Sequence, residues 1–316
     1  MWVVSKKVVA LGGGHGLAAT LTALRSMTSD ITAVVTVADN GGSSGRLREE
    51  FPILPPGDLR MALAALCGDD EWGRSWAQIM QYRFTSEGSL DGHAMGNLLL
   101  AALWDRDEDI VAGLERVGSL LKVIGRVLPM AGEPLDIEAT FEQGQKAEIV
   151  RGQVEVATAR GKLRSLRLIP ENPRALPQTI DAIAAADWIT MGPGSWFSSV
   201  IPHLLMPALR SALISSSAKK ILLLNLDSAD QSAGEYAGYS PLEHLKILHQ
   251  YAPQLHFDCV VLDTHSDGAD ELGSYLSTQG SELLRADLRS PEHPLHHDTK
   301  KLGQLFAHIA LEKLVG

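Results

Sequence analysis

The chain has 316 residues, 45% of them hydrophobic and 21% charged, with a formal net charge of −10 at pH 7. That mix is the ordinary globular one and excludes a disordered, collagenous or coiled-coil chain. The acidic balance and the lack of a long basic block argue against nucleic acid as a partner. No apolar run reaches the roughly 18 residues of a membrane helix, so no membrane contact is expected.

The first residues lead straight into a strand-like run and do not read as a secretory signal. Two cysteines, Cys67 and Cys259, fit neither a zinc spacing nor a disulfide framework. The expectation is a protein of the reducing cytoplasm with both thiols in or near the core.

In chain order, Val8 to Leu11 form a short β-prone run that breaks at glycines, and residues 17–27 carry Leu17, Leu21 and Leu24 at helical spacing. A second strand, rich in Val and Thr, spans 31–38 and also runs into glycines. Strand, glycine turn, helix, strand opens a doubly wound parallel sheet. Residues 58–67 and 96–104 read as helices. From 126 to 169 helical spacing gives way to alternation at Ile149, Gly152, Val154 and Val156. That stretch reads as a β-rich, antiparallel insertion over 126–170 within one domain, 1–316. Parallel strands return at 188–191, 221–226 (ending at Asp227) and 259–262 (ending at Asp263). The fold class expected is α/β, a Rossmann-like three-layer parallel sheet with a β-rich insertion.

The candidate site residues lie at strand ends. Gly12, Gly13, Gly14, His15 and Gly16 follow the first strand, where backbone amides at a helix start can meet a phosphate closely. The pattern is not a complete G-x-G-x-x-G, since Leu17 holds the last glycine's place. After the second strand come Asp39, Asn40, Gly41, Gly42, Ser43, Ser44, Gly45 and Arg46. An acid at that point accepts bonds from a ribose or sugar diol, and the serines and Arg46 add donors suited to a diphosphate.

In Pro55-Pro56-Gly57-Asp58-Leu59-Arg60, Asp58 reads both as an N-cap and as a site carboxylate. His93 reads as a site residue or a structural one at a helix start, and Asn97 offers an amide that both donates and accepts. Gly192-Pro193-Gly194-Ser195 and Asn225 end the later strands. Three strand-end clusters on one edge fit the crevice where open α/β sheets bind ligands, and a nucleotide-type ligand is expected. There is no P-loop, no Gly-x-Ser-x-Gly elbow and no His-Glu-x-x-His helix. His296-His297-Asp298 is a weak metal pattern, because adjacent side chains diverge in regular structure.

The run from Val34 to Arg48, followed by Pro55-Pro56-Gly57-Asp58, resembles the gluconeogenesis factor (YvcK-type) family, grouped with the 2-phospho-L-lactate transferase-like proteins. The likeness continues through the glycine opening, Gly92-His93 to Gly96-Asn97, Arg126 to Pro129, Gly192 to Ser195 and Asn225. It implies a Rossmann-like core binding UDP-N-acetylglucosamine in the cytoplasm, with a role in cell shape and envelope precursor supply on gluconeogenic carbon.

By the same likeness the glycine loop, Ser43 and Ser44 cradle the diphosphate, and Asp39 holds a hydroxyl. Asn97, Gly194, Ser195 and Asn225 line the rest. Two departures stand out: Asn40 replaces the family's second acid, a weaker ligand for Mg²⁺, and His296-His297 replaces Arg-His. Two functions remain open. One is a sensor whose ligand shifts affinity for a protein partner. The other is a Mg²⁺-assisted transferase with Arg46 offsetting charge. An NAD oxidoreductase is disfavoured by the incomplete glycine pattern, and dimerisation is left open.

Overall fold

Strands covered on both faces must be apolar at every position rather than at alternate ones. In the computed structural model, which describes residues 6–313 apart from 108, 145 and 227–238, β1 (Val8–Gly12) and β2 (Ile31–Val35) are buried throughout. Between them runs α1 (Gly14–Leu24), which starts three residues earlier than the leucine spacing suggests. The second strand ends at Val35 rather than at 38, although Thr36 N–H still donates to the Gly12 carbonyl.

Five helices follow: α2 (Gly42–Glu50), α3 (Pro56–Ala65), α4 (Glu71–Gln81), α5 (Met95–Asp107) and α6 (Ile110–Leu121). Asp70 caps α4 and Asp109 caps α6, each accepting a first-turn N–H. The chain then forms β3 (Arg126–Pro129), β4 (Asp136–Gln143), β5 (Lys146–Arg151), α7 (Gln153–Thr158) and β6 (Lys162–Ile169).

Two expectations are corrected here. Arg126–Pro129 pairs in parallel with β2 and belongs to the main sheet, so the antiparallel part begins only at Asp136. Its three strands lie in the order β5-β4-β6. Val154 and Val156, whose alternation suggested a strand, lie instead on the short helix α7. Two valines two apart satisfy strand spacing, but only Val156 is buried.

The second half is α8 (Pro177–Ala184), β7 (Trp188–Met191), a π-type turn (Trp196–Val200), α9 (Ile201–Leu205), α10 (Pro207–Ser215) and β8 (Lys219–Leu223). Then come α11 (Pro241–Tyr251), β9 (Cys259–Asp263), α12 (Ala269–Gln279), β10 (Glu282–Ala286) and α13 (Thr299–Lys313). Asp227, expected to close the eighth strand, lies outside the described residues. Cys67 and Cys259 are both buried, unpaired thiols. Among the described residues no single helix is long and apolar enough to cross a membrane.

The main sheet is parallel throughout, ordered β10-β9-β8-β7-β1-β2-β3, with helices flanking it. From β1 the chain winds outward through β2 and β3, then returns to β7 on the other side and winds away through β10. The direction of winding therefore reverses between β1 and β7. Loops leaving the two strands at that point diverge to opposite faces and open a crevice at the carboxyl edge.

Candidate functional site

A cleft of about 480 Å³ opens at that reversal point, walled by His15, Gly16, Gly194, Asn225 and His296 together with Met61 and Gln81. The turn after β1 and the turn after β7 meet there. A Cβ on Gly16 would overlap the Pro193 carbonyl oxygen, so only glycine lets α1 approach so closely. Asn225 locks the second turn: its Oδ1 accepts from Gly194 N–H and its Nδ2 donates to the Gly194 carbonyl, both at 2.8 Å. Ser195 accepts from Ser198 N–H and caps the π-type turn.

Behind the glycine turn lies Asp58. The N-cap reading does not hold, because Pro55 occupies that position and Asp58 falls inside the first turn of α3. Its carboxylate turns away from its own helix, accepting from Thr36 Oγ1 at 3.2 Å and from the Gly14 backbone. Gly13 makes this possible, since a Cβ there would collide with both Asp58 and Thr36. Burial, reinforced by the nearby charge of Asp39, pushes the Asp58 carboxyl up to about 7. Asp39 itself accepts from Gly41 N–H at 2.9 Å and folds its own loop.

Ser43 and Ser44 point inward. Ser44 Oγ accepts from Gly57 N–H at 3.0 Å. Ser43 Oγ accepts from Asn97 Nδ2 at 3.0 Å and from Ala94 N–H at 3.4 Å, filling both lone pairs. Its hydroxyl proton is left to donate to His93 Nδ1, 3.0 Å away, which requires that nitrogen to be unprotonated. The low pKa of His93, caused by burial and then by Arg46, agrees with this. Asn97 Oδ1 in turn accepts from Arg60 Nε at 2.8 Å.

Arg60 is the residue the sequence reading passed over. It stood in the quoted Pro-Pro-Gly-Asp-Leu-Arg run, and an arginine within an otherwise apolar, buried helix was the signal. Thr36, just past the end of β2, was likewise not singled out; its hydroxyl donates to Asp58.

The cleft lining leaves out Asp39, Ser43, Ser44, Asp58, His93 and Asn97, and three more expected site residues face elsewhere. Arg46 donates to the Asp91 carbonyl at 2.7 Å and toward Ser89, so it pins the loop before α5. Asn40 turns to the antiparallel insertion, donating to Glu155 Oε2 and accepting from Val154 N–H. Gly192 lies beneath the Leu223 carbonyl rather than on the cleft wall.

The donor set does not fit a resident Mg²⁺. Asn40's oxygen already serves Val154, Asp58 is largely desolvated, and no metal-ligating group of three His, Cys, Asp or Glu gathers among the described residues.

The C-terminal histidines diverge as expected. The His296 ring stacks with His15 across the cleft, centroids 6.4 Å apart and planes 10° from parallel. The His15 pKa is lowered by burial, then by His296 and Arg60. His297 turns to the Leu224 backbone, and burial lowers its pKa to about 4. Both line the cleft, but only His296 meets His15 across it.

Comparison with known proteins agrees with this architecture. The family model described as 2-phospho-L-lactate transferase CofD matches residues 8–312. The gluconeogenesis factor of Bacillus subtilis is 34% identical over 326 residues, covering 97% of this chain and 98% of that protein. A Mycobacterium tuberculosis protein of the same naming is 48% identical over 302 residues, covering 93% and 87% respectively. A crystal structure of a UPF0052 family member from Bacillus halodurans superposes with a TM-score of 0.82 at 30% identity, covering 96% of this chain and 98% of that one.

Proposed function

Because this chain belongs to the CofD/UPF0052 family, whose curated members include gluconeogenesis factors, we propose that it is a nucleotide-sugar-binding regulator. UDP-N-acetylglucosamine is the ligand, held at the β1–β7 reversal point. Its level sets the chain's affinity for a partner protein in the cytoplasm, in the service of cell shape and envelope precursor supply on gluconeogenic carbon. No turnover is involved.

The observation that carries this reading is the meeting of the two glycine turns, Gly16 against Pro193, over a cleft lined by the α1 N-terminus. Backbone amides at such a helix start favour an anion by roughly 0.3–1 kcal/mol, more when partly buried. A diphosphate placed there leaves the base and sugar to the His15–His296 and Asn225 walls.

Calorimetric titration with UDP-N-acetylglucosamine, with and without Mg²⁺, against UDP, GDP and NAD, tests it. Selective binding without Mg²⁺ and with the ligand recovered intact is expected. Heat that continues as the ligand is consumed, or binding only with Mg²⁺, would replace the regulator with a transferase.

A further inference from the structure

Arg60 is 3% exposed, which makes it one of the most deeply buried charges in the chain. Its aliphatic stem crosses α5 at Gly96, where a Cβ would lie 2.8 Å from Cγ and 2.9 Å from Cδ. The guanidinium is then held by one bond, Nε to Asn97 Oδ1, and Asn97 is itself held by Ser43. Nη1 is closed off from solvent and has no acceptor. Among the described residues no carboxylate forms an ion pair with Arg60; Asp58 and Asp39 act on it only at longer range, and Arg83 and His15 are cations or potential cations facing it. Burial and Arg83 bring its pKa down to about 10.

A buried guanidinium with an unmet donor is unfavourable unless something completes it. With Nε fixed on Asn97 Oδ1, Nη1 is a directional donor whose hydrogen bond is unmet. The next residue, Met61, lines the cleft beside His15 and Gly16.

We infer that Arg60 is the buried receptor for a phosphate oxygen of the ligand, with Asn97 and Ser43 as its positioning residues. This rests on the proposed nucleotide-sugar reading for the ligand's identity, though not for its oxyanion chemistry. Arg60 is not itself part of the cleft lining, but its charge acts on His15 in the cleft wall, so the oxyanion meets Nη1 as the side chains between them give way, and the unmet donor favours that closed arrangement. The competing explanation is an internal water bonded to Nη1.

The full-length protein is titrated with inorganic pyrophosphate, UDP and UDP-N-acetylglucosamine while the ¹⁵N side-chain resonances of its arginines are followed. Arg60→Lys assigns the Arg60 signal. Expected are a shift of that signal on adding pyrophosphate or UDP, and a loss of about 10- to 100-fold in affinity for both in Arg60→Met, the size of a charge-assisted bond. If Arg60→Met does not fold, Arg60→Lys and the wild-type resonance still decide the matter.

Ligand binding that leaves the Arg60 signal unmoved overturns the inference in favour of the water and leaves the nucleotide-sugar reading standing. Pyrophosphate binding through Arg60 with no binding of UDP-N-acetylglucosamine does the reverse. Binding of none of the three removes both.

Discussion

Asn40 Nδ2 donates to Glu155 Oε2 at 3.0 Å, tying the serine-glycine loop after β2 to the first turn of α7, 115 residues away. The same amide's oxygen accepts from Val154 N–H. Only an amide does both: a carboxylate has no proton to donate and repels Glu155. An asparagine at this position thus has a structural reason in this chain. Arg48 strengthens the same joint, bonding the Asp39 carbonyl on one side and Asp136 at the start of β4 on the other.

Asn40→Asp is therefore expected to lower stability by about 1 kcal/mol near pH 8. Adding Glu155→Gln restores most of it by supplying the missing donor. Urea midpoints of the two single variants and the double variant give the coupling. A coupling indistinguishable from zero would show that the bond contributes nothing.

Gly16→Ala is expected to destabilise the fold by at least about 2 kcal/mol, although alanine is the better helix former. The opposing atom is the backbone oxygen of Pro193, which cannot retreat as a flexible side-chain end does. Ligand affinity falls in parallel, since both turns wall the cleft. A variant as stable as the wild type would mean that the two turns do not touch.

Asn225→Ala leaves Gly194 N–H and C=O without their partner and is expected to cost about 1–3 kcal/mol. Asn225→Asp keeps the acceptor and loses the donor, so its cost falls between. Calorimetry on both variants should rank their ligand affinities in the same order as their stabilities.

Stability against pH carries two opposing contributions. Burial lowers the pKa of His203 and of His297 to about 4, so the stability each contributes is whole above 6.5 and lost as pH falls toward 4. Asp58, raised to about 7, contributes stability that is whole below 3.8 and lost as pH rises through 7. Asp58→Asn removes the second contribution. Its stability should then rise with pH between 4 and 7 more steeply than the wild type's, by up to about 1.4 kcal/mol per pH unit. Urea titrations at three pH values within that window check the slope; parallel curves would place Asp58 in its ordinary ionised state.

The sheet was legible because buried strands are marked by unbroken apolar runs, and β1, β2, β7 and β9 appeared within three residues of their ends. The glycine turns were legible too, since a close approach admits only glycine. What misled was alternation: Val154 and Val156 satisfy period two by chance on a helix of six residues. Arg126–Pro129 looked like the start of the insertion because a parallel partner far back in the chain leaves no mark on local spacing.

Sequence alone determined which residues end the strands, and hence which lie near a ligand at the sheet's carboxyl edge. It did not determine which way they face. Asn40, Arg46, Ser43 and Ser44 look alike as loop donors, yet the first two bond the insertion and the loop before α5, and the two serines turn into the core. Arg60, an ordinary helix residue by composition, became a buried charge because Gly96 on another helix left room for its stem. Those roles belong to tertiary structure because a polar side chain takes whatever partner the packing brings within about 3 Å, and that partner is set by elements tens to hundreds of residues away.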